Sequence, residues 1–233
     1  MKMVRYLLLL STLLFLPSGC RTPTFKVNTD AIRIHGIGLA HRKNLAIRTL
    51  ADHRGYDAEN WIILAFVPGF PFGWSKYDRI EDRFEHYFNV SAADDLTDGV
   101  VKCIRRSELF DNITMIGGKD IGDADYVLTG SIENMRYSRL FCTHTVSIFA
   151  FVPWIFGVPF NGAMQRLDLR LSLQDRTGKE VWKWETDKES QMHIWVQGLY
   201  YRHGHPYRMY GRTLIEHMND ALSSLRDFLQ TSN

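Results

Sequence analysis

Cysteine is scarce in this chain, three in 233 residues, and the shortage excludes whole classes of protein. Three thiols cannot build a disulfide-stapled small domain, and no Cys-x-x-Cys pair exists to start a zinc ribbon or a thioredoxin-like site. An excess of charge of one sign is also lacking: 28 Lys and Arg stand against 26 Asp and Glu. That balance gives no electrostatic footprint for nucleic acid. No glycine-rich loop carries the lysine or the strand–turn–helix frame that cradles phosphate, and there is no Gly-x-Ser-x-Gly elbow. No cofactor is expected. Nor does the body of the chain offer an unbroken apolar run of the ~20 residues that a spanning helix needs.

What the chain does have begins at its N-terminus, MKMVRYLLLLSTLLFLPSGC. Lys2 and Arg5 give a positive start, residues 6–16 are uncharged, and Pro17, Ser18 and Gly19 lead to Cys20. This reads as a cleaved secretory signal over 1–19, too short to be a stable span. Small residues directly before a cysteine resemble the lipobox of bacterial lipoproteins, with Pro17 where leucine is usual and Leu16 one place earlier. The resemblance implies that Cys20 is acylated with diacylglycerol and palmitate-type chains and becomes the new N-terminus. Arg21, in place of the aspartate that favours inner-membrane retention, implies the periplasmic face of the outer membrane. Cleavage removes Lys2 and Arg5 and no acid, so the mature chain is formally neutral.

Residues 20–30, polar and proline-containing, read as anchor and tether, and 31–233 as one periplasmic domain. Within it, 31–38 (AIRIHGIG) alternate like a strand, while 39–60 read as a charged loop. "SAADDLTDGVVKCIRRSELF" is an amphipathic helix: Ser91 caps it, acids fill its first turn, and Leu96, Val100, Cys103, Ile104 and Ser107 share a face. "DNITMIGG" and "ADYVLTGSIENMRYSRLF" read as strands, with Gly130 as a candidate bulge. Leu167, Leu169, Leu171 and Leu173 alternate with Arg166, Asp168, Arg170 and Ser172, and "DRTGK" turns the chain back into 181–186, a hairpin. A Thr213-x-x-Glu216 capping box opens a last helix with Leu214, Met218, Leu222, Leu225 and Leu229 on one stripe. The expected fold is α+β: a single domain with an antiparallel or mixed sheet covered by two amphipathic helices.

Groups that carry chemistry are few. His203-x-His205 and Cys142-x-His144 each place two donors near one another, but zinc needs three or four that converge. No metal site and no catalytic residue is assigned. Asp94, Asp95 and Asp98 are explained by capping and the helix dipole, and Arg166, Asp168 and Arg170 by a solvated sheet face. Cys103 and Cys142 remain as two thiols, paired or not according to geometry. Tyr200, Tyr201, Tyr207 and Tyr210 are candidate stacking residues for a glycan.

AFVP occurs twice, at 65–68 and 150–153, each time inside a charge-free apolar stretch, WIILAFVPGFPFGW and TVSIFAFVPWIFGVPF. Pro68, Pro71, Pro153 and Pro159 break both as spanning helices. Residues 61–67 and 146–152 are expected as strands running into apolar loops at 68–74 and 153–160. Those loops either meet each other or form an apolar docking surface from Phe70, Phe72, Trp74, Trp154, Phe156 and Phe160.

The order of "FVPGFPFGWSKYDR", "RRSELFDNI", "ADYVLTGSI", "FVPWIFGVP" and "LDLRLSLQDRTGKEVW" resembles a loose group of uncharacterised bacterial lipoproteins. At fold level it is similar to envelope-assembly accessory lipoproteins. These include the lipopolysaccharide-assembly and transport-auxiliary lipoproteins and the N-terminal domain of the Tol–Pal periplasmic protein. The resemblance implies a lipid-anchored, non-enzymatic partner of an envelope assembly or transport complex, held to the membrane by its lipid and to an envelope protein by its surface. A glycan- or peptidoglycan-binding module and a metal-dependent envelope hydrolase are the alternatives.

Overall fold

The computed structural model describes residues 25–36, 43–79, 81, 91–118, 121–143, 161–186, 193–197 and 206–232. Two strands set the frame: β6 (Tyr126–Cys142, 17 residues) and β7 (Asn161–Asp175, 15 residues), paired antiparallel from Tyr126↔Asp175 to Phe141↔Asn161. Seven shorter strands complete the nine-stranded sheet among the described residues: β1 (Leu45–Arg48), β2 (Ala51–Asp52), β3 (Ala58–Asn60), β4 (Phe72–Tyr77), β5 (Ile113–Ile116), β8 (Glu180–Glu185) and β9 (His193–Gln197). Around the hairpin turn after Asp175 the order is β5-β1-β6-β7-β8, with β1 parallel to both β5 and β6. At the opposite end it is β3-β4-β6-β7-β9, all antiparallel. The sheet is therefore mixed, and it consists of two half-sheets that share β6 and β7.

Two helices, α1 (Ala92–Ser107) and α2 (Pro206–Thr231), cover one face of the first half-sheet. The periodicities explain why. On β7 Leu167, Leu169, Leu171 and Leu173 are buried toward the helices, while Arg166 and Asp168 pair on the other face. On α1 the buried stripe is Ala92, Leu96, Val100, Cys103, Ile104 and Ser107. Ser91 Oγ accepts from the Asp94 amide, and Glu108 ends the helix in the left-handed conformation, φ 55°. Polar links fix α2 in register over the hairpin. Trp184 Nε1 donates to Asp220 Oδ2 at 2.7 Å, Trp182 Nε1 to Ser224 Oγ at 3.1 Å, His217 Nε2 to Leu167 O at 2.9 Å, and Gln165 Nε2 to Thr213 Oγ1 at 2.7 Å. The α+β single domain is as expected, and the helices and hairpin lie where their patterns place them.

Five local expectations are corrected. Residues 31–36 are not a strand: a 3-10 turn at Thr29–Ala31 leads into extended chain in the groove between α1 and α2. There Arg33 N donates to Asn219 Oδ1 and Gly36 N to Ser107 O, so the buried Ile32 fits a helix groove instead of a ladder. Within 39–60 the loop reading misses β1, whose Leu45, Ala46 and Ile47 are all buried. A strand covered on both faces shows no alternation. The strand expected at 61–67 is a 3-10 helix (Ile62–Phe66), and the loop expected at 68–74 runs into β4. The capping box at Thr213 does not open α2. The helix begins at Pro206, a residue suited to a first turn, and Thr213 lies fully buried inside it. The β6 bulge lies between Ile132 and Asn134 and not at Gly130, where instead an added Cβ would stand 2.5 Å from Arg170 O.

The N-terminal segment closes the domain. Phe25 and Val27 are half-buried against Gly99 of α1, and Lys26 O lies against Gly211 of α2, where an added Cβ would be 2.1 Å away. Gly211→Ala should therefore reverse the usual gain of ~1 kcal/mol for removing a helical glycine. We expect a lower denaturation midpoint and faster proteolysis before residue 30. A stabilised variant with an unchanged N-terminus would contradict the seal.

Candidate functional site

The end of the sheet built from β3, β4 and the last residues of β6 is where apolar side chains face solvent. Its construction starts at Trp61, whose amide donates to Trp74 O at 2.7 Å, and continues through the 3-10 helix with Leu64 N to Trp61 O and Val67 N to Leu64 O at 3.1 Å each. Pro68 and Pro71 bracket a turn at Gly69, φ 92°, which a side chain would strain. Thr143, fully buried, clamps the turn: its amide donates to Pro71 O at 2.9 Å and its hydroxyl to Ala65 O. Gly73 lets the carbonyls of Trp61 and Ile62 approach β4, where a Cβ would meet both at 2.5 Å. Ala65, with no exposure, is the plug beneath.

On this clamped base the apolar side chains point outward. Ile63 is 68 % exposed and Trp61 50 %; Phe66 and Val67 join them from the 3-10 helix and its end. Phe70, Phe72 and Trp74 are exposed, at 49, 45 and 36 %. The β-alternation sends Phe72 and Trp74 one way and Gly73, Ser75 and Tyr77 the other. Trp74 stands opposite the exposed Leu140, Phe72 lies 6.4 Å from Trp74 between ring centres, and Phe66 lies 5.5 Å from Phe141. The sequence omitted Trp61, Ile63, Phe66 and Leu140 from this surface. A strand reading of 61–67 puts alternate residues inside, and nothing local marks Leu140 as its neighbour.

Charge is absent from the same end. Residues 60–75 and 140–165 contain no Asp, Glu, Lys or Arg. Lys76, held by Glu59 at 3.6 Å, and Arg139, whose Nε donates to Asn161 Oδ1 at 2.9 Å, mark the border. Trp154, Phe156 and Phe160 lie outside the described residues, as does Cys20. The strands that flank the second stretch end at Cys142 and begin at Asn161. Both AFVP stretches therefore join the sheet at this one end.

Other candidate groups are accounted for differently. Tyr210 is fully buried and donates to Met135 O at 3.1 Å, which removes it from any exposed stacking groove. Tyr200 and Tyr201 lie outside the described residues, as do His144, His203, His205 and the side chain of Tyr207. Among the described residues no three His, Cys, Asp or Glu side chains converge as metal ligands. Cys103 and Cys142 are not joined to one another, and burial pushes the Cys103 thiol up to about 12, so it stays protonated and inert near neutrality. Asp98 of the α1 acids pairs with Lys102, as a helix surface does. Arg166 pairs with Asp168 at 2.8 Å, and Arg170 reaches Glu185 across the strands. A shallow cleft of about 460 Å³ beside β1 and β5, lined by Asn44, Thr114, Ile121 and Asp123, gathers no reactive cluster.

Beneath β4 lies a buried ion cluster centred on Arg54. Its side chain is 2 % exposed, it holds Asp52 through Nε and Nη2 at 2.9 Å each, and it also binds Glu81 and the Asp78 carbonyl. Burial works to raise the Asp52 carboxyl, but hydrogen bonds from Arg54 and the charges of Arg54 and Arg79 outweigh it and hold it below the ordinary range. The cluster ties the chain leaving β2 to the chain leaving β4, a structural task. No chemistry faces outward from it.

No protein-family model matches the chain, and no curated protein matches it. Among solved structures it is similar to a dodecameric PelC from Paraburkholderia phytofirmans, with 12 % identity, a TM-score of 0.40, and 82 % of this chain and 93 % of that one covered. It is also similar to protein XCC0632 from Xanthomonas campestris, of the DUF330 family, with 10 % identity, a TM-score of 0.40, and coverage of 91 % and 97 %. Neither likeness is close enough to assign a family or a function. Among the described residues no helix is long and apolar enough to cross a membrane.

Two outcomes follow from the geometry. Phe72→Ser/Trp74→Ser should leave the fold intact, with thermal unfolding changed by about 1 kcal/mol or less; collapse of the fold would show these rings to be core. Arg54→Met should cost ~3 kcal/mol, because Glu81 would lose its counter-charge and the half-buried Asp52 would keep only Arg79. The Asp52 contribution is fully present above about pH 4, the unfolded carboxyl value, and drains as pH falls through its lowered folded value. Denaturant midpoints followed into acid should therefore fall for the wild type and fall less for Arg54→Met.

Proposed function

We propose that this chain is a lipid-anchored, non-enzymatic accessory protein of an envelope assembly or transport complex, held at the periplasmic face of the outer membrane. The observation that carries the reading is the clamped, solvent-facing apolar end around Phe70, Phe72 and Trp74. Large apolar rings left open around both faces of one sheet end mark a surface on which something docks. A flexible loop could fold such residues away. Here Thr143, Gly73 and Ala65 hold them outward. Cys20, at the end of a lipobox-like signal, supplies the attachment. Residues 1–19 are then signal, 20–30 anchor and tether, and 31–233 the periplasmic domain.

The anchor and the complex are tested separately in the cell that makes the protein. The wild type should incorporate labelled palmitate and sediment with outer membrane, and Cys20→Ser should lose both. Crosslinking in native envelopes should trap the wild type with a discrete set of envelope proteins. Wild-type protein found unacylated in the soluble fraction would overturn the anchored reading. Acylated protein crosslinked to nothing would overturn the accessory role.

A further inference from the structure

We propose that the occupant of the apolar end is the bilayer itself: the tip formed by Trp61, Ile63, Phe66, Phe70, Phe72 and Trp74 inserts into the leaflet that holds the acyl anchor. The proposal rests on the reading of Cys20 as the anchor, and it adds an orientation that the anchor alone does not give.

The path of the N-terminal segment carries it. Along α2, residues 31 and 33 sit at Asn219 and Lys26 sits at Gly211. Followed backward, the chain thus runs toward the N-terminus of α2. That helix end points to the apolar half-sheet, because Ser224 meets Trp182 near the hairpin turn while Thr213 meets Gln165, which pairs with β9. At Phe25 the segment is therefore already heading for the charge-free end. From Phe25 to Cys20 there are five Cα steps, or at most ~17 Å of extended chain. The patch begins at the level of Trp74↔Leu140, three residues along β6 from Tyr137, which pairs with Gln165. Three strand residues are ~10 Å. The acylated cysteine can thus reach the level of the exposed rings, which brings the bilayer it enters up to them.

The chemistry of the end suits that phase. Aromatic rings prefer the interface between headgroup and acyl chain, and basic side chains prefer the headgroup level just outside it. Lys76 lies two residues from Trp74 on the same strand face, and Arg139 adjoins Leu140. Residues 60–75 and 140–165 carry no carboxylate to oppose entry, and Glu59 at the border is paired with Lys76. Backbone groups at the tip are bonded within it, among them Trp61 N to Trp74 O and Phe70 N to Val67 O. Shallow insertion therefore strands few of them. Diacylglycerol chains supply the affinity. The tip supplies the angle: with it buried, the hairpin turn at Asp175–Lys179 points away from the membrane, ~45 Å down β7.

The test uses acylated full-length mature protein carrying Cys142→Ser and an environment-sensitive fluorophore on Phe72→Cys. A label on Phe70→Cys is the second tip position and one on Thr177→Cys the far control. Each variant is checked for native circular dichroism. The proteins are reconstituted in vesicles of phosphatidylethanolamine and phosphatidylglycerol. Nitroxide-bearing lipid should quench the tip labels several-fold more than the control, and aqueous iodide should quench them several-fold less. Tip labels open to iodide on vesicles that hold acylated protein would overturn the insertion and leave the anchor standing. Labels open on lipid vesicles but shielded in native envelopes would give the surface to a protein and also overturn it. A mass spectrum with Cys20 unmodified would overturn the anchored reading itself, and this proposal with it.

Discussion

The antiparallel ladder between β6 and β7 is the constraint on which everything else depends. It runs unbroken in register apart from one bulge, and every other strand attaches to one of its two members or to a strand already attached. Long strands let one sheet do two unlike jobs. Near the hairpin turn the ladder is buried beneath α1 and α2 and forms the core. At the other end the same hydrogen bonds support a surface whose aromatic rings the described chain leaves exposed. An exposed aromatic patch on a loop would collapse onto the domain to escape water. On a strand bonded at both edges it has no such freedom.

Rigidity at that end depends on small residues. Gly73 and Ala65 leave room for the 3-10 helix to press on β4, and Thr143 bonds the carbonyls of Ala65 and Pro71 on either side of the turn. The large rings are then spared any structural duty. Substituting the exposed aromatics and substituting the small residues beneath them thus address different properties, interaction in the first case and shape in the second.

Much of this was legible in the sequence, for reasons that lie in particular residues. The leucines of β7 and the stripe of α1 repeat at the periods of elements with one wet face, and such elements announce themselves. β1 is buried on both faces and does not. The expected strand at 31–38 alternates correctly, yet its partner is a groove between helices, and alternation alone does not name the partner. Pro68 and Pro71 suggest the end of a strand, whereas the strand comes after them, since a proline can precede a ladder more easily than it can sit within one. The charge-free setting of Phe70, Phe72 and Trp74 singles them out, but it leaves open whether they face solvent or another loop. Their companions Ile63 and Leu140 required the fold, because the contact joins residues far apart in the chain.

The seal between the two ends of the chain has a further consequence, one of timing. Asn219 accepts from Arg33 and donates to Ala31, contacts separated by 186 and 188 residues. The groove that receives residues 25–36 has no second wall until α2 is in place. Residues 25–36 therefore dock only after α2 has packed on the sheet, and the first and last described segments of the chain close the domain together.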